Sequence, residues 1–187
     1  MSQNTPRRAD ARRNVDALIE AARTVFATSG VDAPAKEITD RAGVGVGTLY
    51  RHFPQRADLV KAVVESGIDA VADAGPALLA DYPPGEALDR WIHRFADLLA
   101  TKRGLAAALH SHDPAFAGLP GYFHERVGPS LAALLDAAVA AGTIRDDLSA
   151  GDLLHAITQL SQPVPGRGPD LNQRILAVFV DGLRRPS

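Results

Sequence analysis

The sequence predicts an all-α protein: three small N-terminal helices followed by a larger helical bundle, about nine helices in total. Apolar residues recur at i, i+3, i+4 and i+7 through most of the chain, the spacing of one buried helical face. No segment alternates with period two over the length of a strand, and no internal repeat is visible. Glycine and proline clusters cut the pattern into helix-length pieces.

The first helix spans residues 12–29, with Val15, Leu18, Ile19, Ala22 and Phe26 on one stripe and Gly30 at its C-terminal end. A short helix over 35–42 carries Ile38 and Ala42, and Gly43 closes it. Another short helix over 46–53 follows after a tight turn. Pro54 suits the first turn of a fourth helix, where a missing N–H costs nothing. That helix carries Leu59, Val60, Val63, Val64, Gly67, Ile68 and Val71, before Gly75-Pro76 and Pro83-Pro84-Gly85 interrupt the pattern. Leu88, Trp91, Ile92, Phe95, Leu98 and Leu99 form the next stripe. A shorter segment, 104–110, precedes a loose region with Pro114, Gly118, Pro120 and Gly121. Residues 122–141 read as a helix kinked or broken at Gly128-Pro129. Ser149 and Asp152 form a capping-box pattern opening a helix to about residue 162. A loop rich in proline and glycine leads to a last helix with Leu171, Ile175, Val178, Phe179, Gly182 and Leu183.

Composition removes several classes of function. The 187 residues contain no cysteine, which excludes a disulfide scaffold, a thiol nucleophile, an iron–sulfur cluster and a thiolate zinc site. No apolar run approaches the roughly 20 residues of a membrane span. The polar, arginine-bearing start has no apolar stretch behind it, so no signal peptide and a cytoplasmic location are expected. The net charge of -2 averages two unlike parts. Residues 1–60 hold nine Lys/Arg against seven Asp/Glu, whereas 61–187 hold eleven against fifteen. Arg7, Arg8, Arg12 and Arg13 face only Asp10 at the start, so the basic head is expected to have an anionic partner.

The informative stretch is 36–59, KEITDRAGVGVGTLYRHFPQRADL. Two short helices joined by a glycine turn fit helix-turn-helix geometry, whose second helix enters a major groove. Advancing about 100° per residue places Leu49 and Phe53 on one face, with Val46 close to it. Gly47, Thr48 and Arg51 lie opposite, and Tyr50 and His52 fall on the flanks. Hydroxyl, imidazole and cationic groups there can hold phosphates while the outward face meets base edges. Glycines at 45 and 47 would let the backbone approach a duplex. On spacing alone, Tyr50 and Phe53 fit equally well as core aromatics of a helical pair.

The block Ala42-Gly43-Val44-Gly45-Val46-Gly47-Thr48-Leu49-Tyr50-Arg51-His52-Phe53-Pro54, with Gly30, Ile38 and the stretch 56–59, resembles the N-terminal domain of the TetR/AcrR family of transcriptional regulators. The resemblance covers about residues 12–60; the closing Asp181-Gly182-Leu183-Arg184 is similar to one branch. It implies a DNA-binding domain over 1–55 and a ligand-binding and dimerisation domain over 56–187. Thr48, Tyr50 and His52 would bind phosphates or border the groove. Arg56, where the family usually has lysine, would bind phosphate at the start of the fourth helix. Val46, Gly47, Thr48 and Arg51 would approach bases, and Arg12 and Arg13 would add contacts from the arm. Gly45 stands where many members have serine or threonine, and Thr39 where many have alanine. Gly45 weakens the N-cap of the second helix slightly.

For the body, the resemblance implies a homodimer through the last two helices and a small-molecule effector. Val178, Phe179 and Leu183, with Leu153, Leu154, Ile157 and Leu160, are candidates for the interface; intrachain core is the alternative use for each. Trp91, Phe95, His112, Phe116, Tyr122 and Phe123 are candidates for an effector pocket or, equally, ordinary core. His110, His112, Asp113 and His124 match no metal-binding spacing, and neither a metal nor a cofactor is expected. The Gly43-to-Gly47 run follows a helix rather than a strand and lacks a Walker lysine, so a nucleotide loop is excluded. With no G-x-S-x-G or H-E-x-x-H, an enzyme is not expected. The expected function is a ligand-released repressor that binds a palindromic double-stranded operator as a dimer at the nucleoid, with no membrane partner. A helical scaffold or partner-binding protein without DNA activity is the alternative.

Overall fold

A computed structural model describes residues 5–101, 105, 113–162 and 164–185. Among these residues it contains eight α-helices: α1 (Thr5–Ser29), α2 (Ala35–Ala42), α3 (Val46–His52), α4 (Arg56–Asp81), α5 (Pro84–Thr101), α6 (Leu119–Ala140), α7 (Ala150–Leu160) and α8 (Pro169–Leu183). A 3-10 turn at Pro114–Phe116 precedes α6. The expected helical segment 104–110 lies outside the described residues apart from Leu105. The all-α class holds, and no helix of the described residues is long and apolar enough to cross a membrane.

The chain divides into two compact units, Met1–Ser66 with Thr101–Pro120, and Gly67–Ala100 with Gly121–Ser187. In the first, Leu18, Ala22, Val25 and Phe26 of α1 are buried, as are Ile38 of α2, Leu49 of α3 and Leu59, Val60 and Val63 of α4. α1 packs on α2, and α2 on α3. In the second, Ile68, Leu88, Trp91, Ile92, Phe95, Leu131 and Leu134 are almost wholly shielded from solvent. There α7 packs on α8. Asn172 of α8 donates through Nδ2 to the Leu160 and Gln162 carbonyls at 2.6 and 2.8 Å, satisfying acceptors left over at the end of α7. The expected capping box is present: Ser149 Oγ accepts from the Asp152 amide, and Asp152 Oδ2 accepts from the Ser149 amide at 2.9 Å.

The structure departs from the sequence expectations at the start of α1 and at three prolines. α1 extends back to Thr5, because Pro6 sits in its first turn and the alanines and arginines that follow favour helix. α4 starts at Arg56, leaving Pro54 outside it; the Gln55 amide donates to Asp58 Oδ2 at 2.9 Å and fixes that start. α6 runs unbroken through Gly128-Pro129, and both Pro129 and Glu125, whose carbonyl loses its usual donor, are exposed residues.

The largest departure is Gly75-Pro76, which interrupts the pattern but not the helix: α4 continues to Asp81. Pro76 has no N–H, so the Ala72 carbonyl loses its usual donor four residues on. Ser130 of α6 replaces it, with Oγ donating to Ala72 O at 2.9 Å. One residue earlier, buried Trp91 Nε1 donates to Val71 O, also at 2.9 Å. Gly75 makes the approach possible, since a Cβ there would stand 2.1 Å from Ser130 Oγ. Glycine and proline thus make one gap that a hydroxyl fills. Ser130→Ala is expected to lower stability in urea unfolding by about 1–3 kcal/mol. Gly75→Ala is expected to cost markedly less in the Ser130→Ala background than in the wild type. Strictly additive costs would show that the two sites do not share the contact.

Candidate nucleic-acid interface and regulatory core

The turn between α2 and α3 is set by Gly43, whose φ of +68° lies in the left-handed region that side chains disfavour. Its amide donates to Asp40 O, and the Val44 amide to Thr39 O at 3.1 Å, closing the end of α2. Thr39 is buried in this pair and satisfies its hydroxyl on the Lys36 carbonyl at 3.1 Å. Neither helix has a side-chain N-cap: Pro34 precedes α2 and Gly45 precedes α3.

α3 sorts its residues into two faces. Leu49 and Phe53 are buried. Gly47 and Arg51 are exposed, Tyr50 is 53% exposed, and Thr48 and His52 are half-buried at the borders. Val46, expected close to the packed face, is instead 40% exposed. It is the first residue of α3, and only Leu49 and Phe53, further along, sink into the core. Tyr50 is likewise not a core aromatic. A Cβ at Gly45 or Gly47 would meet nothing within 4 Å. Packing within the protein therefore does not require glycine at either position.

Arg12 and Arg13 are exposed on α1, and Arg13 pairs with Asp10 at the surface. Arg56 is turned differently from the rest of the set. Its Nε donates to Val31 O at 2.7 Å and its Nη2 to Ala33 O, while its guanidinium lies 5.1 Å above the centre of the Phe26 ring. Burial pushes its pKa below the ordinary arginine value, opposed by nearby Asp32.

Of the candidates in the body, the second unit brings together Trp91, Phe95 and Phe123. Trp91 and Phe95 are fully buried and stack with centroids 5.5 Å apart; Phe123, half-buried, continues the stack at 5.7 Å. Tyr122 is half-buried and donates its hydroxyl to Asp69 Oδ1 of α4 at 2.7 Å, which pushes the phenol pKa up. Phe116 is buried in the first unit. His110 and His112 lie outside the described residues. Sequence reasoning missed Arg126, which joins α6 to α4 through Asp69 at 2.7 Å and Asp73 at 3.0 Å; these bonds push its pKa up. Two aspartates four apart on α4 were the available signal, since they share one helical face.

A helix pair closed by a left-handed glycine, with one apolar face and a second helix left open to solvent, defines a helix-turn-helix protein of the transcription-regulator class. Residues 18–63 match the model of the TetR family of bacterial regulatory proteins, and residues 83–185 match the C-terminal domain of SbtR-like transcriptional regulators. A solved TetR transcriptional regulator from Streptomyces coelicolor is 36% identical with a TM-score of 0.79, over 92% of this chain and 99% of that one. A TetR regulatory protein from Mycobacterium vanbaalenii is also 36% identical, with a TM-score of 0.76 over 95% and 99% of the two chains. An HTH-type transcriptional regulator from Staphylococcus aureus is 36% identical over 76 residues, 40% of this chain; the match spans only 41% of that protein's length. The chain belongs to the TetR family, a family of regulators rather than enzymes.

The two faces of α3 should respond oppositely to substitution. Leu49→Ala is expected to cost about 2–5 kcal/mol in chemical unfolding, as for a buried leucine. Gly47→Ala is expected to raise stability by about 0.5–1 kcal/mol, because alanine holds a helix better and the added methyl has open space. A destabilised Gly47→Ala protein would show that the face is packed after all.

Proposed function

We propose that this protein is a transcriptional repressor that binds a palindromic operator as a homodimer and is released by a small molecule held in the C-terminal bundle. Residues 1–55 carry the DNA contacts and residues 56–187 carry dimerisation and effector binding. The observation that carries this reading is the open face of α3: Val46, Gly47, Tyr50 and Arg51 face solvent, and Gly45 and Gly47 have no packing reason to be glycine. Close approach by a duplex supplies the reason. Val46, Gly47, Thr48 and Arg51 meet base edges; Thr48, Tyr50 and His52 hold phosphates; Arg12 and Arg13 add backbone contacts from α1. Such a protein works in the cytoplasm, at the nucleoid.

One short recognition helix contacts too few bases for a specific site, and a two-fold dimer doubles the contact. The last helix supports a dimer through α7 and α8. Leu176, Val180 and Leu183 of α8 turn inward, whereas Val178 is 73% exposed and Ile175 36%. A second copy would cover that outward apolar stripe.

The effector sits against Phe123, the half-exposed end of the aromatic stack with Phe95 and Trp91 behind it, and against its half-exposed chain neighbour Tyr122. Through Asp69 and Arg126 that position touches α4, whose first residues, 56–66, fall in the same compact unit as α1, α2 and α3. An effector preferring the conformation with misplaced recognition helices lowers DNA affinity, and DNA lowers effector affinity by the same factor. A coupling of about 1–3 kcal/mol, roughly 5- to 150-fold, is sufficient.

A gel shift on DNA flanking the gene, repeated across a salt series, is the test. Affinity is expected to fall steeply with salt as condensed counterions are released. Tyr50→Ala should weaken every sequence similarly, whereas Arg51→Ala should also change sequence preference; intact binding by Tyr50→Ala would refute the phosphate role. A properly folded dimer that binds no fragment specifically would sink the reading. In sedimentation, Val178→Glu is expected to give monomers and to weaken operator binding roughly tenfold or more. A dimer that survives this substitution must use another surface.

A further inference from the structure

Arg56 opens α4, at the edge of the proposed DNA-binding face. A cation there that turned outward would meet a phosphate, but this one is bonded inward. One planar group satisfies the Val31 and Ala33 carbonyls of the turn between α1 and α2, and its flat face covers Phe26, the last buried aromatic of α1. It also borders a cleft of about 250 Å³ with Leu49, Tyr50 and Phe53, which belong to α3 and its C-terminal cap. Arg56 itself is anchored, since the Gln55–Asp58 bond holds the first turn of α4. The turn it grips leads directly into α2 at Ala35, and α2 has no side-chain cap of its own. α3 follows only a few residues later, also uncapped.

We propose that Arg56 is a positioning residue for operator recognition: by clasping the α1–α2 turn to the start of α4 it sets the angle at which α2 and α3 are presented, and it does not hold a phosphate. Lysine cannot replace it. A single ammonium has neither the planar fork that reaches both carbonyls nor the flat face that stacks on a ring. The proposal rests on the chain being a DNA-binding regulator, and the test separates the two ideas.

Wild type, Arg56→Lys and Arg56→Gln are compared as full chains. The probes are a 30-base-pair duplex enriched from a random pool by the wild-type protein, and sheared heterologous DNA. Both variants are expected to lose about tenfold or more of their preference for the selected duplex, with the slope of log affinity against log salt unchanged. A phosphate ligand behaves otherwise: Arg56→Lys would keep wild-type affinity, and Arg56→Gln would lower the slope by about one. That result overturns the proposal. Specific and heterologous affinity falling together in step with melting temperature, and recovering together on cooling, would also overturn it, since only stability would have been lost. Hydrogen exchange needs no DNA and decides the matter if the wild type enriches no sequence, an outcome that refutes the regulator reading alone. Faster exchange over residues 31–52 in both variants, with α7 and α8 unchanged, supports the clasp. Exchange over 31–52 no faster than in the wild type overturns it.

Discussion

Carbonyls that helices and turns leave over need donors, and in this chain side chains from outside the local segment supply several of them. Arg56 serves two acceptors in the α1–α2 turn, Ser130 serves the one that Pro76 strands inside α4, and Asn172 serves two at the end of α7. An amide–carbonyl bond contributes only about 0.5–1.5 kcal/mol net, but a buried acceptor left without one costs about 1–3 kcal/mol. That asymmetry turns each of these side chains into a joint between elements through its part-buried bonds, Asn172 through Leu160 rather than the exposed Gln162. Arg56 ties α4 to the turn before α2, Ser130 ties α6 to α4, and Asn172 ties α8 to α7.

The first of these joints bears on how a very small helix pair is held. α3 is a seven-residue helix with little intrinsic stability, no side-chain cap, and only Leu49 and its cap residue Phe53 buried. A helix this short does not persist unaided, and its conformation comes from its packing and from the left-handed turn at Gly43. The pair leans on α1, which packs on α2, and on Arg56 at the start of α4. The outward face is left with no structural duty.

Helical periodicity made most of the fold legible, because a buried stripe leaves a repeating trace that needs no knowledge of partners. It also sorted α3 correctly at Leu49, Phe53, Gly47 and Arg51. It failed where a local rule was overridden from far away. Gly75-Pro76 looks like a terminator until Ser130, more than fifty residues later, is known to answer the stranded carbonyl. The phosphate role of Arg56 is what the family resemblance implies, and nothing in its sequence neighbourhood reveals that its acceptors lie 23 and 25 residues back. Val46 sat on the correct side of the helical wheel, but the wheel carries no information about where the core ends. In the body, Trp91 and Phe123 carry the same aromatic signature, yet one is sealed in the core and the other half-exposed. The difference depends on neighbouring helices, which periodicity does not see.

The vacant space around Gly45 and Gly47 has a further consequence for how such a protein changes over generations. Most positions in a small domain answer to two masters, folding and function, and a change that serves one injures the other. At these two positions packing within the protein has no vote, and only helix propensity and capping do. New side chains can accumulate there without first being rescued by compensating changes elsewhere. Under the proposed recognition role, a duplicated copy of this gene could acquire a different target through these sites while its architecture stayed as it is.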